Sequence, residues 1–246
     1  MNSSVRIYRR EVPGGRFTSF TVKVKETDLW IAVDPQSFSD RLVSAAEAAV
    51  LAIRRPLEQY LATKPQLQAA FEPCLVDPAA PPIVIKMVRA ANKAGVGPMA
   101  AVAGAVAEQV GCYLLEMAQE VIVENGGDIF LKVNEPVAVG IFAGSSSLSG
   151  KLALQIDPGR TPLGICTSSG TVGPSFSLGQ ADASIALAPS AALADAAATA
   201  LGNRVRGEED LQQAIDFAKQ IEGLTGALLI IGDKIAAWGG LNLQRF

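Results

Sequence analysis

The chain has 246 residues, 49% of them hydrophobic, and is long enough to bury a sizeable core in one large domain or in two fused lobes. Its formal net charge of −3, with basic residues scattered along the chain, excludes the footprint of a nucleic-acid-binding protein. Histidine is absent, which excludes Ser-His-Asp and Cys-His catalysis and the usual zinc sites, so any metal would be held by oxygen ligands.

The first half of the chain is predicted to form a β-hairpin followed by helices. Alternating polar and apolar residues indicate the hairpin, and closely spaced prolines mark a connector between helices. In chain order we expect strands over 16–24 and 29–33, a helix capped by Asp40 and running to about Leu61, an irregular connector over 64–82, a helix over 83–94, and a helix from Pro98 to about Ala118.

The second half is predicted to be richer in strands. Asn125-Gly126-Gly127 indicates a tight turn within a hairpin over 120–133. We then expect strands over 137–143, 151–156, 164–167 and 183–188, a helix within 189–201, an amphipathic helix over about 208–221, and a closing hairpin with strands over 227–231 and 235–238.

The order of these elements predicts the fold class. Hairpins dominate and helices come in adjacent pairs, which favours an antiparallel α+β fold over a doubly wound parallel sheet. Each half contains hairpins flanking a pair of helices, so a weak internal duplication is plausible within a single domain over 1–246. Its lobes would cover about 1–118 and 119–246.

Cysteine usage and the N-terminal sequence indicate the compartment. Cys74, Cys112 and Cys166 show no C-x-x-C pairing, which argues against a disulfide framework and for a reducing environment. The first twenty residues mix Arg, Glu and Gly, unlike a signal peptide, and the apolar stretch Met99–Ala107 is too short to span a bilayer. We therefore expect a cytoplasmic protein without a membrane partner, and leave its oligomeric state open.

Asp195 and Thr199 stand one helical turn apart in a stretch that otherwise consists largely of Ala and Leu. A carboxylate in such an apolar helix is costly unless something pairs with it, and a hard cation such as Mg²⁺ or Ca²⁺ would do so. The alternative is that Asp195 complements the helix dipole, with Ser190 as the N-cap. Spacing alone leaves both interpretations open.

Three glycine-bearing segments could approach a ligand. The segment Asn125–Asp128 is typical of a type I′ turn, and its glycines would also admit a flat ring or a phosphate. Ile165–Gly170 could form an anion-binding loop or only a polar connection. Gly97–Gly104 opens a helix, which indicates either an anion site at the helix N-terminus or close helix packing.

The order of these motifs resembles the ApbE superfamily, the FAD-dependent, magnesium-requiring flavin transferases. In that family Asn-x-Gly-Gly-Asp, Thr-Ser-Gly and Ala-Asp-Ala-Leu-Ala-Thr-Ala-Leu line one site for FAD and the metal. The resemblance covers roughly residues 95–202 by motif, and the opening segment, residues 16–29, resembles a short, uncharacterised branch of the superfamily. It implies two T-fold-like lobes and a small-molecule ligand, with FAD or FMN and Mg²⁺ as cofactors. The implied cofactor-binding residues are Asn125, Gly126, Gly127, Asp128, Thr167, Ser168 and Gly170, and the implied metal ligands are Asp195 and Thr199.

The chain departs from the family pattern where the transfer chemistry lies. A His-Ile-Ile-Asp-Pro-like segment is replaced by Ser175–Asp182, and the family's Gly-Gly-Ile-Ala-Lys-Gly has become Pro98–Gly104, without its lysine. The metal pair is kept while the catalytic groups are lost. Ordinary flavin transfer is therefore not expected, and whether the protein is an enzyme stays open.

Three functions follow from the sequence. The first is an ApbE-like protein that binds a flavin or another nucleotide-like molecule with a divalent metal. The second is an enzyme or accessory factor in sulfide or homocysteine metabolism, which uses Cys166 or Asp182 on the same site. The third is a non-catalytic interaction protein in which the Asp195 helix is only structural.

Overall fold

An antiparallel sheet of eight strands forms the centre of the fold in the computed structural model, which describes residues 15–169 and 179–245. In spatial order its strands are β1 (Thr18–Val24), β2 (Thr27–Val33), β3 (Val121–Asn125), β4 (Asp128–Lys132), β7 (Leu163–Ser168), β8 (Ala183–Ala188), β9 (Gly226–Ile231) and β10 (Lys234–Gly239). A second sheet of three strands has the order β11 (Leu243–Arg245), β6 (Leu152–Ile156) and β5 (Val137–Gly140). The strand pairs of the described residues are all antiparallel, as predicted.

Helices cover one face of the large sheet, and the small sheet covers the other. The helices are α1 (Asp40–Thr63), α2 (Pro65–Ala69), α3 (Pro82–Ala94), α4 (Val102–Leu114), α5 (Ala191–Gly202) and α6 (Leu211–Ala218). Strand alternation divides the apolar side chains between two cores. Phe130 and Cys166 pack in the helix-side core, whereas their neighbours Leu131 and Ile165 pack against the small sheet. The molecule is therefore built in three layers.

The predicted elements are present, with corrections at several boundaries. Ser39, not Asp40, is the N-cap of α1, because its extended backbone brings the hydroxyl to the Leu42 amide. The predicted helix after Gly97 begins as a 3₁₀ turn over Pro98–Ala101 and its α-helical part ends at Leu114. Helix α2 within the connector and strand β11 were not predicted. The helix predicted over about 208–221 is shorter, because residues 208–210 form a 3₁₀ turn and α6 runs only from 211 to 218.

The large sheet is continuous between the two halves of the chain. Strand β2 pairs with β3 in antiparallel register, with Ile31 opposite Val123, so the ladder crosses the proposed lobe boundary near residue 118. Helices separate the hairpin β1–β2 from β3–β4, and α5 and α6 separate β7–β8 from β9–β10. The division into duplicated lobes stays a prediction.

Close packing between the helices and the sheet depends on glycines. A Cβ atom built on Gly164 of β7 would lie 2.3 Å from Cα of Ala191, at the start of α5. One built on Gly111 of α4 would lie 2.2 Å from the Phe130 ring, and one on Gly104 would lie 2.2 Å from the Ala191 carbonyl oxygen. These glycines let α4 and α5 approach the sheet and each other at backbone distance.

We expect Gly164→Ala to destabilise the protein by about 1–3 kcal/mol, because the new methyl group would overlap backbone atoms that cannot rotate away. Gly159→Ala is the matched control, since a Cβ at that exposed position meets no atom within 4 Å among the described contacts. The measurement is the free energy of unfolding from urea denaturation. Equal values for the two variants would contradict the proposed packing of α5.

Candidate functional site

Two buried aspartates lie where α4 and α5 meet the ends of β3, β4 and β7. Asp128 is 8% exposed and Asp195 is 9% exposed. Asp128 shares the helix-side face of the sheet with Asn125 and Cys166, and Asp195 projects from α5 towards the first turn of α4. Ionised carboxylates are rarely buried without a partner, so this acidic pair marks the candidate functional site.

The β3–β4 turn places Asn125 opposite Asp128. Gly126 and Gly127 occupy the turn with φ values of +73° and +108°, a backbone conformation that favours glycine. The amide of Gly127 donates a 2.7 Å hydrogen bond to Oε1 of the buried Glu124, which fixes the turn from within the strand. The predicted hairpin turn is confirmed, and its glycines are explained by backbone conformation.

Strand β7 runs beside this turn because Cys166 pairs with Asp128 across the sheet. A Cβ on Gly127 would lie 3.7 Å from the Thr167 carbonyl oxygen, so the two predicted segments are neighbours on one sheet rather than opposite walls of a cleft. Alternation places the Ser168 side chain on the helix side with Cys166, and the Thr167 side chain on the opposite face. Gly170 lies outside the described residues.

Asp195 is held by the N-terminus of the neighbouring helix. Its Oδ2 accepts a 2.8 Å hydrogen bond from the amide of Gly104, which lies in the first turn of α4. The N-cap of α4 is Ala101, whose side chain cannot accept a hydrogen bond. Asp195 of α5 therefore accepts from an amide in the first turn of α4 in place of an N-cap side chain. At Gly104 the helix therefore presents an N–H donor to Asp195, a group that cannot ligate a cation.

One peptide group joins the turn to Asp195. The Asn125 amide Nδ2 donates to the Ala103 carbonyl oxygen at 3.1 Å, and the N–H of that same peptide, on Gly104, donates to Asp195. The side chain of Asn125 therefore supports the α4 segment that supports Asp195. Asn125 and Asp195 both belong to the motifs singled out in the sequence. Their connection is not visible there, because it passes through Gly104, which is 91 residues from Asp195.

Burial shifts the titration of both carboxyl groups. Burial raises the pKa of Asp128 to about 7, assisted by the charge of Glu124 and opposed by polar contacts with the Cys166 side chain and the Thr167 backbone. Burial also raises the pKa of Asp195 well above its usual value, and the charge of Asp128 adds to this effect. Among the described residues, Oδ1 of Asp128 is the buried side-chain atom without a hydrogen-bond partner. The pair therefore holds excess negative charge or shared protons.

Cys166 and Asp182 are the candidate reactive groups of the sulfide or homocysteine hypothesis. Cys166 is fully buried, its Sγ lies 3.3 Å from the Ala191 carbonyl oxygen that it donates to, and burial raises the pKa of its thiol well above the usual value. A neutral buried thiol is a poor nucleophile. Asp182 accepts a 2.8 Å hydrogen bond from the Gly232 amide and so supports the β9–β10 turn. Both residues have structural contacts that account for their burial.

Thr199 lies one turn beyond Asp195 on α5 and is partly exposed. Ser190 caps this helix by accepting a hydrogen bond from the Leu193 amide, as predicted. Within residues 15–169 and 179–245, no group of three or more His, Cys, Asp or Glu side chains could hold a metal ion. A cation at Asp195 would therefore need oxygens from backbone, hydroxyl, water or ligand.

A cavity of about 470 Å³ lies on the Asn125 side of the site, and its described lining includes neither Asp128 nor Asp195. Asn125 and Ala103 line its inner end, and the hairpin turn between β1 and β2 and the helix α1 form its sides. Arg54 in its wall is paired with Glu26 at 2.5 Å and with Glu58 at 2.7 Å, and it also donates to Thr27. The remaining lining residues are largely apolar: Leu57, Leu61, Met99, Val102 and Val106. This wall is not visible in the sequence, because Arg54 and Glu58 stand four residues apart on one helix, a spacing common to surface ion pairs.

Three solved structures with a similar fold are all ApbE proteins. An ApbE protein from Thermotoga maritima aligns with a TM-score of 0.55 at 14% identity, over 89% of this chain and 96% of that one. The apo form of the flavinyl transferase ApbE from Pseudomonas stutzeri gives 0.53 at 14% identity, over 90% and 93% of the two chains. A mutant flavin transferase ApbE from Vibrio cholerae gives 0.55 at 14% identity, over 91% and 97%. The protein thus has the fold of the ApbE class, which confirms the predicted α+β architecture.

Sequence comparison places the chain more narrowly. The family model described as "AbpE bacteria" matches residues 9–237, so the chain belongs to this family. A UPF0280 protein of Methanocella arvoryzae is 49% identical over 194 residues, which cover 77% of each chain. One from Methanosarcina barkeri is 42% identical over 227 residues, which cover 90% of this chain and 88% of the relative. These relatives confirm the resemblance to a short, uncharacterised branch, and their names specify no activity.

The helices of residues 15–169 and 179–245 include none with the length and apolar character needed to cross a membrane.

Titration of the acidic pair makes stability depend on pH. The pKa of Asp128 is about 7 in the folded protein and about 4 in an unfolded chain. Between these values the native state binds more protons than the unfolded state, so this group lowers the free energy of unfolding as the pH rises, by at most about 1.4 kcal/mol per pH unit. We expect Asp128→Asn to flatten that dependence, because its amide does not titrate.

Urea unfolding of the wild type and Asp128→Asn at pH 5, 6, 7 and 8 in metal-free buffer measures this difference. Asp233→Asn is the control, because its side chain is 69% exposed. The same pH dependence in the wild type and Asp128→Asn would contradict a raised pKa at Asp128.

Proposed function

We propose that this protein binds a flavin or another nucleotide-like small molecule together with a divalent cation. The cation lies at Asp195 and the ligand occupies the cavity beside Asn125. The observation that carries the proposal is the unpartnered, buried Oδ1 of Asp128, next to a second carboxyl group whose pKa is also raised by burial. Perturbed carboxyl groups beside a cavity are typical of functional sites.

The donor atoms suit a hard cation. Mg²⁺ prefers oxygen ligands, keeps several waters and usually needs only one or two carboxylates from the protein. Asp195 and Asp128 supply those carboxylates, and Thr199 supplies a hydroxyl one turn along α5. A cation would neutralise charge that is otherwise buried at a cost, which gives this part of the chain a physical reason to bind one.

The cavity supports the organic part of the ligand. Its volume of about 470 Å³ falls within the roughly 300–1,000 Å³ typical of small-molecule sites. Apolar side chains of α1 and α4 would cover the faces of a ring, and the turn glycines would let its polar edge approach the β3–β4 backbone. Asn125 lines the cavity and binds Ala103, so it links the ligand pocket to the segment that contacts Asp195.

The residues of this site bind and orient rather than transfer protons. A bound flavin would supply redox or group-transfer chemistry through its own ring. Asp195 and Asp128 would hold the cation and the negative groups of the ligand near α4, whose N-terminal dipole favours anions. The chain has no histidine to act as a general base, and Asp182 is engaged with Gly232. Asp128 has a pKa of about 7, and we assign its carboxylate to the cation.

The alternatives gain no support. The names of the relatives indicate no role in sulfur metabolism. The Cys166 thiol is buried and neutral, which argues against sulfur chemistry at that position. A purely structural Asp195 would leave the unpartnered oxygen of Asp128 without an explanation.

We expect Asp195→Ala to abolish the magnesium dependence of nucleotide binding. The wild type should bind FAD more tightly with Mg²⁺ than without it, since a cation held at Asp195 would offset the negative charge of the carboxylate and of the ligand phosphates. Titration of the purified protein with FAD, followed by flavin fluorescence with and without Mg²⁺, measures the effect. In the variant the two titrations should coincide.

Asp233→Asn again serves as the control and should keep the wild-type magnesium effect. An Asp195→Ala protein that folds and still binds FAD more tightly with Mg²⁺, to the same extent as the wild type, would contradict the assignment of Asp195 to the metal. A wild type that binds neither FAD nor FMN would overturn the flavin proposal itself.

We also expect no covalent transfer of flavin to an acceptor protein. Activation of an acceptor hydroxyl needs a base positioned at the reacting group, and the chain lacks the histidine and lysine of the transferase motifs that it resembles. Asp128 has a pKa of about 7 but is buried outside the described cavity lining. The protein is incubated with FAD, Mg²⁺ and a flavin-acceptor domain, and in-gel flavin fluorescence of the acceptor is measured. An active ApbE transferase is the positive control, and labelling by this protein would contradict the prediction.

A further inference from the structure

Helices α4 and α5 cap each other, a feature that the proposed function does not use. Asp195 of α5 accepts from the Gly104 amide in the first turn of α4 at 2.8 Å. Glu108 of α4 accepts from the Ala192 amide in the first turn of α5 at 3.3 Å, and from the Ser190 hydroxyl at 2.9 Å. Each helix thus places a carboxylate at the N-terminus of the other, where the helix dipole favours negative charge.

The two contacts fix the register of the helix pair. Gly104 and Glu108 are four residues apart on α4, and Ala192 and Asp195 are three residues apart on α5, so each pair shares a helix face. Gly104 allows backbone approach, since a Cβ there would lie 2.2 Å from the Ala191 carbonyl oxygen and 2.8 Å from Cβ of Asp195. Sliding one helix along the other would break both carboxylate–amide contacts together.

We propose that Glu108 is a positioning residue for the buried acidic site, because it sets the register in which Asp195 meets α4. Its side chain is 12% exposed and forms an ion pair with Lys86, whose Nζ lies 2.9 Å from Oε1. The other carboxylate oxygen, Oε2, makes both contacts with the start of α5. Among the described residues, the side-chain hydrogen bonds and the ion pair of Glu108 go to Lys86, Ser190 and Ala192, and Glu108 is not part of the cavity lining, so it acts through the helix.

The consequence for the site is a dependence on a remote carboxylate. Residues that orient a metal ligand typically contribute about 10–100-fold to metal affinity. This part of the inference rests on the proposed function, because it assumes that Asp195 holds a cation. The effect on the Gly104 amide does not, since that hydrogen bond is present in the protein alone.

Amide hydrogen exchange of the full-length, ¹⁵N-labelled protein without metal tests the positioning directly. We expect Glu108→Ala to speed exchange of the Gly104 amide about tenfold, the size of effect expected when a helix-capping contact is lost. The Leu229 amide in the buried strand β9 is the internal reference and should be unchanged. Glu108→Gln keeps an acceptor oxygen and should retain partial protection, which also covers the case in which the alanine variant does not fold.

Lys86→Met is the matched control, because it removes the ion pair and leaves the contacts of Oε2 with α5. It should protect Gly104 like the wild type. Unchanged exchange at Gly104 in folded Glu108→Ala, or an equal loss at Gly104 and Leu229, would overturn the proposal.

Binding of Mn²⁺ alone, followed by the EPR signal of the free ion, tests the functional consequence. We expect Glu108→Ala to weaken Mn²⁺ binding about tenfold, Glu108→Gln less, and Lys86→Met very little. Equal Mn²⁺ affinity in the wild type and Glu108→Ala would overturn the link between Glu108 and the site. If the wild type itself binds no Mn²⁺, the cation of the proposed function is wrong, and the exchange experiment still decides the positioning role.

Discussion

The burial of Asp195 against the first turn of α4 is the contact on which the site depends. An ionised carboxylate in an Ala-rich helix is unfavourable unless a donor or cation meets it, and the Gly104 amide meets it at 2.8 Å. That distance requires two helices to touch at backbone level, which only glycine at position 104 allows. Burial of the Asp195 carboxyl group is therefore possible only because the two helices approach each other closely at Gly104.

The large sheet supplies the second half of the site through its pairing. Strands β3, β4 and β7 are neighbours, so the turn glycines, Asp128 and Cys166 meet at one end of the sheet. Alternation then separates their roles, because Asp128 and Cys166 face the helices while Thr167 faces away. The motif residues do not all line one surface, and the backbone of Thr167 matters here more than its side chain.

Membership in the AbpE family and the ApbE fold do not by themselves define an activity, because one fold hosts many reactions. The fold of this chain brings together a cavity and a buried acidic pair. The residues that the transferase motifs contain for chemistry, a histidine and a lysine, are absent from the corresponding segments. The site is therefore equipped to bind a charged ligand, and its titratable groups are the buried carboxyl groups of Asp128 and Asp195 in place of a histidine.

The sequence by itself determined the local features of this protein. Hydrophobic periodicity predicted the hairpins and the main helices, the two turn glycines predicted the β3–β4 turn, and a serine before an apolar run marked the start of α5. Only the tertiary structure decided that Asp195 meets Gly104, that Glu108 caps the opposite helix, and that Arg54 lines a cavity. Periodicity records which face of an element is apolar, whereas the partner of that face is chosen by packing between segments far apart in the chain.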